Sequence, residues 1–84
     1  EGGVAAETER VIDNIEAILE CAGLKLRDIA KVSVYLTDIA DAPTMNEVYT
    51  RRFGNARPAR EMMAVGALAL GAKVEITVVA YRGR

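Results

Sequence analysis

Histidine is absent from these 84 residues, cysteine occurs once and proline only twice. Without histidine there is no Ser-His-Asp triad, no Cys-His dyad, no His-based zinc site and no histidine general base. Chemistry must come from carboxylates, arginine, tyrosine, hydroxyls, backbone groups or bound water. The lone thiol, Cys21, cannot close an internal disulfide, and at the end of an apolar helical stripe it reads as a small core side chain. No sign of charge dominates either. The formal charge is −1 and the sequence pI about 5.4, so the long-range attraction that sequence-independent nucleic-acid binding needs is missing. No apolar run approaches the roughly 18–20 residues of a membrane span, and Glu1-Gly2-Gly3 does not read as a signal peptide. A soluble, cytoplasmic protein is expected. The first residue is not methionine, which suggests that an upstream segment precedes it.

What is present is the composition of a folded domain, with 51% hydrophobic and 27% charged residues and no low-complexity run or internal repeat. Residues 1–84 make one domain. At this length folding buries only roughly 60–65% of the surface of the unfolded chain, so partner subunits would help.

Val11, Ile12, Ile15, Ile18, Leu19 and Ala22 recur at helical spacing and predict a helix with an apolar stripe, stopped by Gly23 as a left-handed cap. Glu7, Glu9, Asp13, Glu16 and Glu20 fall mostly on other faces, the early ones suiting the positive helix N-terminus. From Ile29 to Thr37 the period becomes two, with Val32, Val34 and Leu36 on one side, which predicts a half-buried strand. Asp41 as N-cap and Pro43 in the first turn open a second helix, whose Met45, Val48, Tyr49 and Phe53 share a face and which Gly54 ends.

A turn over residues 54–58 leads to a strand of weak periodicity over 60–68, and Val74, Ile76, Val78 and Ala80 mark a last strand over 73–81. Gly71 between them predicts a hairpin. The order α-β-α-β-β implies an α+β layer, two helices on one face of a sheet. Three strands are few for two helices, so strands from an upstream segment or from other subunits are expected to extend the sheet.

The runs Asn14–Gly23 and Ile29–Asp38, then Met45-Asn46-Glu47-Val48-Tyr49 with Phe53, Arg57-Pro58-Ala59-Arg60, and Gly71–Ile76 closing on Val79-Ala80, occur in order and at fixed spacing. In these motifs the chain resembles the reactive-intermediate deaminases, the YjgF/YER057c/UK114 (Rid) family. The resemblance spans essentially all 84 residues and starts after the family's N-terminal strands, which carry a substrate-facing tyrosine and a serine. It implies a chorismate-mutase-like fold with a mixed sheet, a homotrimer with intersubunit clefts, and hydrolysis of 2-imino acids to 2-keto acids and ammonia without a cofactor or metal. By matching position it marks Arg60, Glu75 and Asn46 as site residues. Where the family has a small residue or cysteine two positions after the arginine, this chain has Met62 preceded by Glu61, so Met62 is expected to border the substrate and alter its choice.

Such a reaction needs a carboxylate held and water delivered to a C=N carbon. Arginine's planar fork suits the first task, so Arg60 is the expected anchor. Glu75 is the expected water-orienting group, with burial raising its pKa. In a tight hairpin Glu75 would sit opposite roughly Val65, about 17 Å along the strand from Arg60 at roughly 3.3 Å per residue. The two cannot meet in one subunit, and a site using both lies between chains.

Plainer readings stand beside these. Arg60 and Glu75 also suit exposed or salt-bridging positions, Asn46 suits satisfying backbone groups near a helix start, and Tyr35 and Tyr49 suit packing. Arg51, Arg52 and Arg57 form a basic run best read as a solvated face. A non-catalytic module binding a small carboxylate or a protein partner in the same cleft is the alternative function. A ribonuclease ranks last, given the acidic balance and the missing histidine.

Overall fold

The computed structural model describes residues 3–54, 56 and 58–81. Helix α1 (Gly3–Cys21) is followed by strand β1 (Ile29–Leu36), helix α2 (Ala42–Phe53), strand β2 (Ala59–Ala64) and strand β3 (Val74–Ala80), with short 3-10 turns before β1, α2 and β3. The expected order α-β-α-β-β holds, and both helices cover one face of a three-stranded mixed sheet.

In α1 the buried stripe is Val4, Thr8, Ile12, Ile15 and Leu19. At roughly 100° per residue these five positions span about 80° of the helix surface, whereas Ile18 lies about 120° from Ile12. Ile18 is accordingly 69% exposed and does not belong to the core stripe as the spacing suggested. Thr8 is tolerated within the stripe because its hydroxyl donates to the Val4 carbonyl at 2.6 Å. Gly23 ends the helix as expected. It sits at φ 77°, its N–H bonds the Glu20 carbonyl at 3.0 Å, and the Leu24 N–H reaches back to Leu19 at 2.8 Å, the paired bonds of a Schellman cap.

Two other local expectations are corrected. Because α1 begins at Gly3, no acidic residue stands in its first turn. Cys21, expected in the core, is exposed. Two residues past Leu19, it lies about 160° around the helix from that buried position.

Strand β1 carries the core. Val32, Val34 and Leu36 have no exposed surface and face the helices, sharing one core with Ile12, Leu19, Met45, Val48 and Phe53 of the helices and Val74 and Ile76 of β3. Asp41 occupies the N-cap position of α2 without a side-chain cap bond; the capping carboxylate is Asp38, which accepts from the Ala40 N–H at 3.0 Å and closes the 3-10 turn before the helix. Gly54 stops α2 at φ 56°.

The predicted β2–β3 hairpin does not form. β1 is the central strand, with β2 parallel on one side and β3 antiparallel on the other, and β2 ends at Ala64 instead of running to residue 68. The physical reason lies in β1, whose Val32, Val34 and Leu36 are wholly removed from water only with a strand on each flank. Helix α2 supplies the crossover that a parallel β1–β2 pair requires. The Gly71 connection then runs past the C-terminal end of β1, with Leu70 at φ 59° and Gly71 at φ 71° making the bend, and Val65 N–H and Thr37 N–H bonding across that end.

The helices are joined by charge. The basic run read as a solvated face is instead an interhelical network: Arg52 reaches Glu9 at 2.6 Å and Asp13 and Glu16 at 2.8 Å, and Arg51 also pairs with Glu9. Arg57 lies outside the described residues. Hydrogen bonds from Arg51 and then Arg52 hold the Glu9 carboxyl below the ordinary carboxylate value. A group depressed in the folded state adds stability above its unfolded value, about 4.3, and loses it as pH falls through the folded value. Urea unfolding at a series of pH values is therefore expected to show Arg52→Gln less stable than the parent at pH 7, with the gap closing below about pH 4.

Candidate functional site

Register decides which side chains share a face. Arg60 pairs with Val32 and Met62 with Val34, so both point to the helix side, while Glu61 and Met63, opposite Ser33 and Tyr35, point to the face the helices leave uncovered. Glu75 pairs with Tyr35 from the other flank and also lies on that uncovered face.

The structure brings Arg60 and Asn46 together. Arg60 Nη1 donates to Asn46 Oδ1 at 2.5 Å, a short charge-assisted bond between β2 and the second turn of α2. One helical turn along, the Arg60 guanidinium carbon sits 4.8 Å from the centre of the Tyr49 ring, within cation–π range. That ring is stacked on Phe53, with centroids 4.2 Å apart and planes 12° from parallel. Spacing of three and four residues along α2 puts Asn46, Tyr49 and Phe53 on one helix face, and the parallel register of β2 carries Arg60 to it.

A cleft of about 220 Å³ opens beside this group, lined by Tyr49, Thr50, Phe53, Gly54, Ala56 and Pro58 with Arg60. Among the described residues Arg60 is its sole charged lining residue. Tyr49 is only 8% exposed, and its hydroxyl has no hydrogen-bond partner among the described residues. Burial raises the Tyr49 pKa, and the neighbouring Arg60 charge partly offsets that rise. Tyr49, read from the sequence as packing, thus also supports the arginine. The sequence signal was its place three residues after Asn46 and four before Phe53, but only the β2 register shows that an arginine meets it.

Met62 is half-buried and packs against the hydrophobic core from the same face as Arg60, and it does not line the cleft. Glu61 is turned away from Arg60, accepting from the Ser33 hydroxyl at 3.0 Å with Lys31 at 3.6 Å. Glu75 is exposed, so the burial expected of it is not supplied by this chain.

Glu75 and Arg60 stay apart, though not for the reason the hairpin suggested. They sit on opposite flanks of β1, three register positions apart, which at about 4.8 Å between strands and 3.3 Å per residue separates their backbones by roughly 14 Å. They also point to opposite faces of the sheet. One small molecule cannot touch both in a single copy of this chain.

No group of three or more His, Cys, Asp or Glu side chains is placed to hold a metal ion among the described residues. No helix among them is long and apolar enough to cross a membrane.

Comparison with known proteins gives one consistent result. The family model described as Endoribonuclease L-PSP matches residues 1–82. A RutC family protein of Pyrococcus abyssi is 46% identical over 81 residues, which is 96% of this chain and 64% of the relative. The human 2-iminobutanoate/2-iminopropanoate deaminase is 40% identical over 82 residues, 98% of this chain and 60% of the relative. The chain thus spans just under two thirds of the length of these relatives. Among solved structures, Escherichia coli TdcF with bound serine superposes with a TM-score of 0.93 at 34% identity, covering 99% of this chain and 68% of that one.

Proposed function

The chain belongs to the endoribonuclease L-PSP family, also known as YjgF/Rid, and from that premise we propose that it is a deaminase hydrolysing reactive 2-imino acids to 2-keto acids and ammonia, as a cytoplasmic homotrimer with its sites between subunits. The observation that carries this reading is the state of Arg60. One nitrogen is held by Asn46 and the guanidinium is held against Tyr49, while its Nε and Nη2 have no partner among the described residues. A planar fork fixed in this way offers an open edge that matches a carboxylate.

In the proposed reaction Arg60 holds the substrate carboxylate and Glu75 of a neighbouring subunit orients water toward the C=N carbon. Water adds to that carbon, the nitrogen gains the proton, and the resulting carbinolamine expels ammonia to leave the 2-keto acid. The imine is already electrophilic, so orientation and modest proton transfer supply most of what is needed, and neither histidine, cofactor nor metal is called for. Asn46 acts through Arg60. Met62, on the same face two residues on, influences substrate choice through the packing beneath the site.

The name of the human relative supports the substrate class, and the serine bound to TdcF supports recognition of a small carboxylate in this fold. That serine also favours the second reading, a non-catalytic module binding a small carboxylate in the same cleft. Ribonuclease activity, which the family description names, fits poorly with a net charge of −1 and no histidine. The test is the rate of hydrolysis of 2-iminobutanoate generated in situ by an amino-acid oxidase. Acceleration that Arg60→Ala abolishes supports the deaminase, while a folded protein that binds 2-oxobutanoate without accelerating hydrolysis supports the binding module.

A further inference from the structure

We propose that Tyr49, backed by Phe53, is a positioning residue that sets the orientation of the Arg60 guanidinium and thereby the affinity of the site for carboxylates. The inference rests on the reading of Arg60 as the carboxylate anchor and goes beyond it, because it assigns the anchor's geometry to an aromatic pair on α2.

Arginine on an exposed edge strand is ordinarily free to sample many rotamers, and ordering such a long side chain costs entropy. Here two contacts remove that freedom. Asn46 fixes one end of the guanidinium plane through Nη1 at 2.5 Å, and the Tyr49 ring fixes the face at 4.8 Å. A single hydrogen bond leaves the plane free to rotate about it. The ring face adds the second constraint and so defines where Nε and Nη2 point.

The ring itself cannot easily move. Tyr49 is buried in the α2 face of the core, and Phe53 stacks on it at 4.2 Å and 12°. Stacked rings and a cation contribute through the ring quadrupole, which is set by the electron density of the π-face and is retained when the hydroxyl is removed. Tyr49 therefore does more than fill volume. Its electron density is coupled to the arginine, and the coupling is open to direct measurement.

The experiment uses the active protein and measures KM and kcat for 2-iminobutanoate together with Kd for 2-oxobutanoate. Tyr49→Phe keeps the ring and is expected to change KM by less than about threefold, whereas Tyr49→Leu is expected to raise KM and Kd about 5- to 20-fold with kcat within about twofold. To separate positioning from packing, phenylalanines of increasing fluorination are incorporated at position 49, keeping the ring's shape while draining its electron density. Stepwise growth of KM and Kd along that series, at constant thermal midpoint, is the expected result. A flat series overturns the inference, also in the case where Tyr49→Leu fails to fold. If the parent neither hydrolyses the imine nor binds 2-oxobutanoate, the anchor reading has failed, and the inference fails with it. If the parent binds and Arg60→Ala does not, while the fluorinated series is flat, only the positioning role is lost.

Discussion

Arg60→Ala is expected to lower kcat/KM for 2-iminobutanoate by on the order of 100-fold, the loss of about 3 kcal/mol that follows when a charge-assisted, two-point carboxylate contact is removed. Arg60→Lys keeps the charge but not the fork, so it is expected to recover only part of the loss. Glu75→Gln is expected to act mainly on kcat, since it leaves the carboxylate anchor in place. The stronger result comes from mixing. Arg60 and Glu75 face opposite sides of the sheet within one chain, so a site using both draws them from two chains. Co-refolding equal amounts of Arg60→Ala and Glu75→Gln protein should restore about a quarter of the parent activity, because in a randomly assorted ring about one interface in four pairs an intact Arg60 with an intact Glu75. Absence of any recovery, with trimers formed, would sink the intersubunit arrangement.

The second large effect concerns stability. Leu36 has no exposed surface at the end of β1, flanked by Ala64 of β2 and Val74 of β3. Leu36→Ala is expected to cost about 2–5 kcal/mol, the sum of lost transfer energy and the cavity left behind. In a domain of this size that is much of the total stability, so urea unfolding should move to far lower denaturant or the variant should fail to fold. Ile18→Ala is the informative control. Ile18 belongs to the apolar spacing of α1 by sequence yet is 69% exposed, and its removal is expected to change stability by no more than about 0.5 kcal/mol.

These two leucine and isoleucine positions show where the sequence could be read and where it could not. Leu36 stands in a strict two-residue alternation with Val32 and Val34, and only one face of such a strand can meet a helix, so its burial follows from the pattern. Ile18 is one of six apolar residues at nearly helical spacing, and the stripe they define is too wide to say which edge is buried. Val4 and Thr8, which complete the buried line, decide it. The same limit applies to charge. Arg51 and Arg52 are adjacent cations in a list of residues, and only the packing of α2 on α1 brings them to Glu9, Asp13 and Glu16.

For the candidate site, Arg60, Asn46 and Glu75 were marked by their positions in the family motifs, and Arg60 and Asn46 do meet. Tyr49 was not marked, since nothing local to α2 reveals which residue of β2 lies over its ring. Arg60 and Glu75 are kept apart within one chain not by a β2–β3 hairpin but by their places on opposite flanks of β1 and opposite faces of the sheet.

What the sequence determined by itself is local. Helix and strand positions, the Gly23 and Gly54 stops and the face presented by Val32, Val34 and Leu36 all depend on residues within a few positions of one another, where backbone preference and period act directly. Family membership was legible for a related reason, since its motifs are short runs at fixed spacing. Strand order, the Tyr49–Arg60 contact and the opposed directions of Arg60 and Glu75 were decided only by the tertiary structure. Each depends on pairing between segments far apart in the chain, and that pairing is chosen by the burial of β1 on both flanks, a property of the whole assembly of elements that no single segment encodes.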